Sequence, residues 1–207
     1  MAPFNGPSGP EAADLGTHGC PLNLNEDNLM PTLPNRALED AAKGLATRRE
    51  VSSITRTEDG EKWIYPSPMQ FYNALALKNK TTPDEAKYMH HAVMAHNKVN
   101  ELSWEKVLEW ERRHARTCPN PHLRRFVGKY NHTTPKSLIN RFIWGMGKPF
   151  DRHDWFVNRC GREVRYIIDY YDKPEQNDDV QVYIDARPAL DSFSALVDRI
   201  RATLYRH

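Results

Sequence analysis

The chain has 207 residues, of which 39% are hydrophobic and 27% charged, with a formal net charge of +2; this suits one substantial domain, or one domain with an attached tail, able to bury a sizeable core. No run approaches 18 consecutive apolar residues, so no transmembrane helix is expected. Residues 1–35 hold Glu11, Asp14, Glu26 and Asp27 and no Lys or Arg, which leaves +6 on the remainder and argues against an Arg-rich, acid-poor presequence.

Taken in chain order, residues 1 to about 35 are rich in Pro, Gly and Asn, show no apolar period and read as a largely disordered tail carrying one Cys-Pro pair, Cys20-Pro21. The basic body, 36–207, reads as a single domain whose charge fits an acidic partner or an anionic membrane surface. Nucleic acid is the weaker reading, because the aromatics are not interleaved with Lys and Arg and no zinc or helix-turn-helix signature is present. Cys20, Cys118 and Cys160 are too few and too scattered for a disulfide framework or a zinc site.

Residues from about 60 to 147 read as helical. Thr82 as N-cap, Pro83 at the first helical position and Glu85 form a capping box, from which Ala86, Met89, Val93 and His96 recur at helical spacing along a buried stripe. His90 lies on or beside that stripe and His91 faces elsewhere. A neutral imidazole among apolar side chains is a good ligand for haem iron, although a lone histidine on an apolar face is more often a hydrogen-bonded core residue. Ser103 is placed to cap a second helix to about Arg116, with Trp104, Val107, Leu108, Glu111 and Ala115 along one side and Trp110 offset. Thr134-Pro135 opens a short helix through Trp144, closed by Gly145 and Gly147.

From His153 the period falls to two. Trp155 and Val157, then Val164, Tyr166, Ile168 and Tyr170, then Val180, Val182 and Ile184 mark three strands of an antiparallel meander over about 153–186, with Cys160-Gly161 as a tight turn and Asp172 to Asp179 as a longer one. Residues from about 189 to 205, with Leu190, Phe193, Leu196, Val197, Ile200 and Leu204 on one side, read as an amphipathic helix covering the sheet. The fold class is α+β, a helical N-terminal half packed with a small antiparallel meander and a C-terminal helix.

Several blocks are distinctive: Trp63-Ile64-Tyr65-Pro66-Ser67, Gln70 to Ala74, His96-Asn97 with Asn100-Glu101, Trp104 to Glu111, Pro149 to Trp155, Asn158 to Gly161, Ile168 to Asp172 and Arg187 to Ser192. Their colinear order from about Asn28 to Arg201 resembles holocytochrome c synthase, the cytochrome c haem lyase family. The resemblance implies that haem b is bound as substrate and that its vinyl groups are joined through thioethers to the two cysteines of a Cys-x-x-Cys-His segment in apocytochrome c. It aligns His96 with an axial iron ligand, and Trp63 and Tyr65 with the haem pocket. It further implies the mitochondrial intermembrane space, with peripheral contact to the inner membrane, and reads Cys20-Pro21 as a haem regulatory motif or a dispensable tail cysteine.

Other roles stay open at this point. Glu101 either orients His96 or serves as a helix-start carboxylate near Ser103. Arg152 and His153 either meet haem propionates, with His153 also able to move protons, or form a salt-bridged strand entrance. Arg159 is a candidate propionate partner or a structural ion pair with Glu163 or Asp169. Two further functional readings stand: a haem carrier or sensor that uses Cys20-Pro21 and His96 without bond formation, and the lyase for the membrane-anchored c-type cytochrome of the respiratory complex.

Overall fold

The computed structural model describes residues 33–129, 147–172 and 182–204. Strands β1 (Val51–Thr55) and β2 (Lys62–Ile64) form an antiparallel ribbon; β3 (His122–Gly128), β4 (Asp151–Arg159), β5 (Arg162–Asp172) and β6 (Val182–Pro188) form an antiparallel sheet in that order. Helices α1 (Pro68–Leu77) and α2 (Met89–Glu111) precede the sheet, and α3 (Phe193–Leu204) follows it. The class is α+β. Within the stretch read as helical, however, β2 and β3 are strands, and the meander gains β3 at its edge. The expected helix at Thr134–Trp144, Cys20 and most of the turn after Asp172 lie outside the described residues.

Helix α1 starts at a capping box in which Ser67 and Gln70 satisfy each other's backbone amides, with Pro68 at the first position. The same residues hold the chain entering the fold: Gln70 Nε2 donates to the Leu33 carbonyl, Ser67 to Asn35 and Asn73 to the Arg36 carbonyl. Residues 33–35, assigned to the tail by sequence, are therefore bound to the body.

The Thr82 capping box forms, but it opens a 3-10 turn, Pro83–Tyr88, that runs into α2. Helix α2 is one unbroken rod of 23 residues. The second helix start expected at Ser103 is absent, because Ser103 sits mid-helix and donates back to the Val99 carbonyl at 2.7 Å while reaching Tyr170 on β5 at 3.0 Å. Val93, Asn97, Asn100, Trp104, Val107 and Glu111 form its buried stripe. Trp104 and Val107 pack with Trp155, Val157, Tyr166 and Ile168 in the core of the sheet face. His96 lies one position off that stripe and is exposed, a correction to the sequence reading that had placed it in line.

Cys160 and Gly161 both adopt positive φ, 47° and 93°, which closes β4 onto β5 in a two-residue hairpin. Cys160 is joined to Cys118 by a disulfide spanning 42 residues. Sequence spacing gave no sign of this pair, because β3–β4 pairing, with His122 opposite Asn158, is what brings them together.

At the far end of β4, Arg159 clamps Glu111 at 2.7 and 2.8 Å, with the Tyr166 hydroxyl on the same carboxylate at 2.6 Å and Asp198 of α3 at 3.7 Å. Helix α3 consequently turns Ala195 and Asp198 inward. Its apolar residues Phe193, Leu196, Ile200 and Leu204 are exposed, so the stripe expected to cover the sheet faces outward.

Because Glu111 and Asp198 would be left buried without their guanidinium, Arg159→Ala is expected to lower the unfolding free energy by about 3–5 kcal/mol. Denaturant titration measures this, and a loss below about 1 kcal/mol would contradict the role given to the pair.

Candidate haem site

Where β1, β2, α2 and the β3–β4 edge converge, a cleft of about 90 Å³ is walled by Ile54, Trp63, Tyr65, Leu123, Phe126 and Trp155, with Ile64, Pro66, His96 and Asn100 completing it. Its aromatic walls are continuous: Trp63 meets Phe126 edge-on at 5.7 Å between centroids, and Phe126 lies 6.2 Å from Trp155. Sites that enclose a drug-sized ligand run to roughly 300–1,000 Å³, so this cleft is too small to enclose one and could only border a larger group.

His96 stands at that opening. Its ring packs against Phe71 at 5.4 Å and lies 3.3 Å from Asn100 Nδ2, which donates to the His96 carbonyl at 2.8 Å. Part of the His96 side chain is open to solvent, but the ring is screened from water on its cleft side, which disfavours the imidazolium; nearby His153 acts in the same direction, so the His96 pKa lies below the ordinary histidine value. The neutral ring is the form that binds a metal.

Glu101 does not reach His96. Its carboxylate accepts from Ser52 Oγ at 2.6 Å, the Ser53 amide at 3.1 Å, Ser53 Oγ and the Tyr65 hydroxyl at 2.8 Å. Burial raises this carboxyl's pKa, but the hydrogen bonds from Ser52, Ser53 and Tyr65 outweigh it and hold the group below the usual range. Burial, and secondarily the Glu101 charge, pushes the Tyr65 hydroxyl strongly upward, so it stays a donor. Glu101 thus fixes the cleft wall made by Tyr65 and β1.

Sheet pleating separates two neighbours in sequence. His153 shares the face of Trp155 and meets Phe126 and Tyr170, at 6.4 and 5.4 Å, behind the cleft. Arg152 emerges on the opposite face, buried with Asp154 at 3.1 Å, a position that does not serve a ligand in the cleft. Arg159, six residues along β4 from His153, is roughly 20 Å away and is held by Glu111, in place of the Glu163 or Asp169 partner expected. Cys20 lies outside the described residues.

His153 Nε2 lies 3.2 Å from Asp151, and its Nδ1 is buried with no hydrogen-bond partner. The indole nitrogens of Trp63 and Trp155 are buried and unpartnered too. Two of these nitrogens belong to residues that line the cleft and the third to His153 behind it, and a buried polar group without a partner costs about 1–3 kcal/mol. Asn100 and Phe126 were given no site role from sequence. Asn100 was legible, four residues after His96 on one helix face; Phe126 was not, because Arg124 and Arg125 and a bulge hide the alternation of β3.

The model of the family described as Cytochrome c/c1 heme lyase matches residues 10–203. The chain belongs to that family. It is 46% identical over 189 residues to the holocytochrome c-type synthase of Homo sapiens, covering 89% of this chain and 70% of the relative. It is 44% identical over 154 residues to a putative holocytochrome-c1 synthase of Schizosaccharomyces pombe, covering 70% and 69%, and 34% identical over 209 residues to the holocytochrome-c synthase of Saccharomyces cerevisiae, covering 88% and 77%. No solved structure matches. As a heme lyase the chain is an enzyme of cytochrome c maturation, and the aromatic cleft is the candidate place for its haem substrate.

Glu101→Ala removes the anchor of Tyr65, Ser52 and Ser53 and is expected to destabilise the fold by about 1.5–3 kcal/mol at neutral pH. A depressed carboxyl contributes stability above the ordinary glutamate range and loses it as pH falls through the folded value. The gap between wild type and variant, read from unfolding curves across pH, should therefore close on acidification; a gap that is constant with pH would contradict the charge-assisted role.

Proposed function

We propose that this lyase adds the two thiols of an apocytochrome c Cys-x-x-Cys-His segment across the vinyl groups of haem b, with His96 as one axial ligand and the client's histidine as the other. The observation that carries this reading is an imidazole at the mouth of a cleft walled by Trp63, Tyr65, Phe126 and Trp155. Each addition is balanced without a redox reagent: sulfur bonds to one vinyl carbon and the thiol proton is delivered to the other. The small cleft supports a site completed by the client, in which cross-ligation sets thiols beside vinyls and much of the rate comes from positioning.

The proton-transfer role falls to His153, whose Nε2 lies 3.2 Å from Asp151; its Nδ1 is buried behind the cleft, so the role requires that the docked client open a path to that nitrogen, and a thiolate is the nucleophile in such additions. Glu101 acts through Tyr65. The compartment proposed is the mitochondrial intermembrane space, with peripheral contact to the inner membrane, a reading supported by a disulfide that needs an oxidising setting; no helix among the described residues is long and apolar enough to cross a membrane. Relatives named for both c-type and c1 cytochromes leave the membrane-anchored client as the second reading.

Coexpression with apocytochrome c should yield haem that survives acid-acetone extraction, whereas a carrier or sensor would yield none. His96→Ala is expected to lose bound haem and product while unfolding normally; normal maturation would remove His96 from the site. His153→Gln should retain haem and lower product formation by about 10²–10⁴-fold, and an unchanged rate would make His153 structural.

A further inference from the structure

Helix α3 carries an outward apolar stripe. Phe193, Leu196, Ile200 and Leu204, at 80%, 42%, 50% and 67% exposure, follow one another at spacings of three and four, and Leu190 extends the row at 59%. Large contiguous apolar patches are binding surfaces more often than accidents. The helix also sorts its charge: its acid, Asp198, is turned inward against His114 at 2.9 Å and Arg159, while Arg201 remains exposed in the last turn. The nearby exposed acid, Asp191, is taken by Arg165 at 2.8 Å. Arg112 and Arg113, beside the His114 that reaches α3, are exposed as well. The stripe is therefore apolar, has exposed Arg201 on the same helix, and has both acids nearest to it in sequence, Asp191 and Asp198, engaged in ion pairs.

We propose that α3 is an interfacial anchor that lies in the surface of an anionic bilayer, with its apolar stripe among the acyl chains and the arginines at the lipid phosphates. Charge complementarity chooses this occupant, since the combination of a high-moment helix face and a cationic border is what binds such surfaces. Helix α3 packs on β6, the sheet edge opposite the β3–β4 edge that borders the cleft, so docking there leaves the cleft open. The inference deepens the peripheral contact proposed above and rests on it, and it is independent of the haem chemistry.

The test is flotation of the full-length protein with vesicles of phosphatidylcholine alone and of phosphatidylcholine with phosphatidylglycerol. The wild type is expected to float with the anionic vesicles, less so at high salt, and the Leu196→Ser/Ile200→Ser variant to bind at least about tenfold more weakly. Leu77→Ser, at an exposed apolar residue of α1, should bind as wild type does, and unfolding curves should show all three folded. Undiminished binding by the double variant would overturn the assignment to α3 while leaving membrane contact intact. A wild type that stays unbound would overturn membrane contact itself. A double variant that keeps vesicle binding and instead loses self-association or apocytochrome c capture would assign the stripe to a protein.

Discussion

The register of α2 against the sheet is the constraint on which the rest depends. Its buried stripe is not purely apolar: Asn97 reaches Glu50 at 2.7 Å, Ser103 reaches Tyr170 and Glu111 takes Arg159 and Tyr166. These partners lie just before β1, on β4 and on β5, and a turned or shifted helix would strand several buried polar groups together. An apolar stripe alone would tolerate small rotations. The polar members remove that freedom, and they fix His96, next to Asn97 in sequence, at the cleft mouth.

The same helix couples three regions. Its N-terminal half carries His96, Asn100 and Glu101, the last holding β1 and Tyr65; its middle packs on Trp155 and Tyr170; its end is tied through Arg159 to α3 and, just beyond it, through the Cys118–Cys160 disulfide to the β4–β5 hairpin. The cleft is thus preorganised on its protein side and open on the other. That asymmetry suits a reaction in which a polypeptide supplies two of the reacting groups, because a closed pocket would exclude the client.

Much of this was legible in the sequence. The capping box at Thr82, the two-residue turn at Cys160-Gly161 and the alternation from Trp155 to Tyr170 are local signals, and each appears where its chemistry places it. Signals overridden by tertiary contacts were misread: Ser103 looks like a helix start, yet its hydroxyl is consumed by Val99 and Tyr170. The pleat rule already separated Arg152 from His153, although sequence adjacency had grouped them as one cluster. Arg159 with Glu111 and Cys118 with Cys160 are partners 48 and 42 residues apart, set by the packing of α2 on the sheet and by β3–β4 pairing, which no spacing encodes. The outward stripe of α3 was visible as a stripe; its direction depends on Asp198 finding Arg159 and His114, which is again a tertiary fact.

The imidazole-to-iron bond proposed at position 96 is open to cavity complementation. Haem-loaded wild type should show a visible spectrum with a nitrogen-ligated iron; His96→Gly should lose that spectrum, and added free imidazole should restore it by filling the vacated position. A His96→Gly protein that keeps the wild-type spectrum without imidazole would contradict the account, since the iron would then take its ligand from elsewhere in the chain.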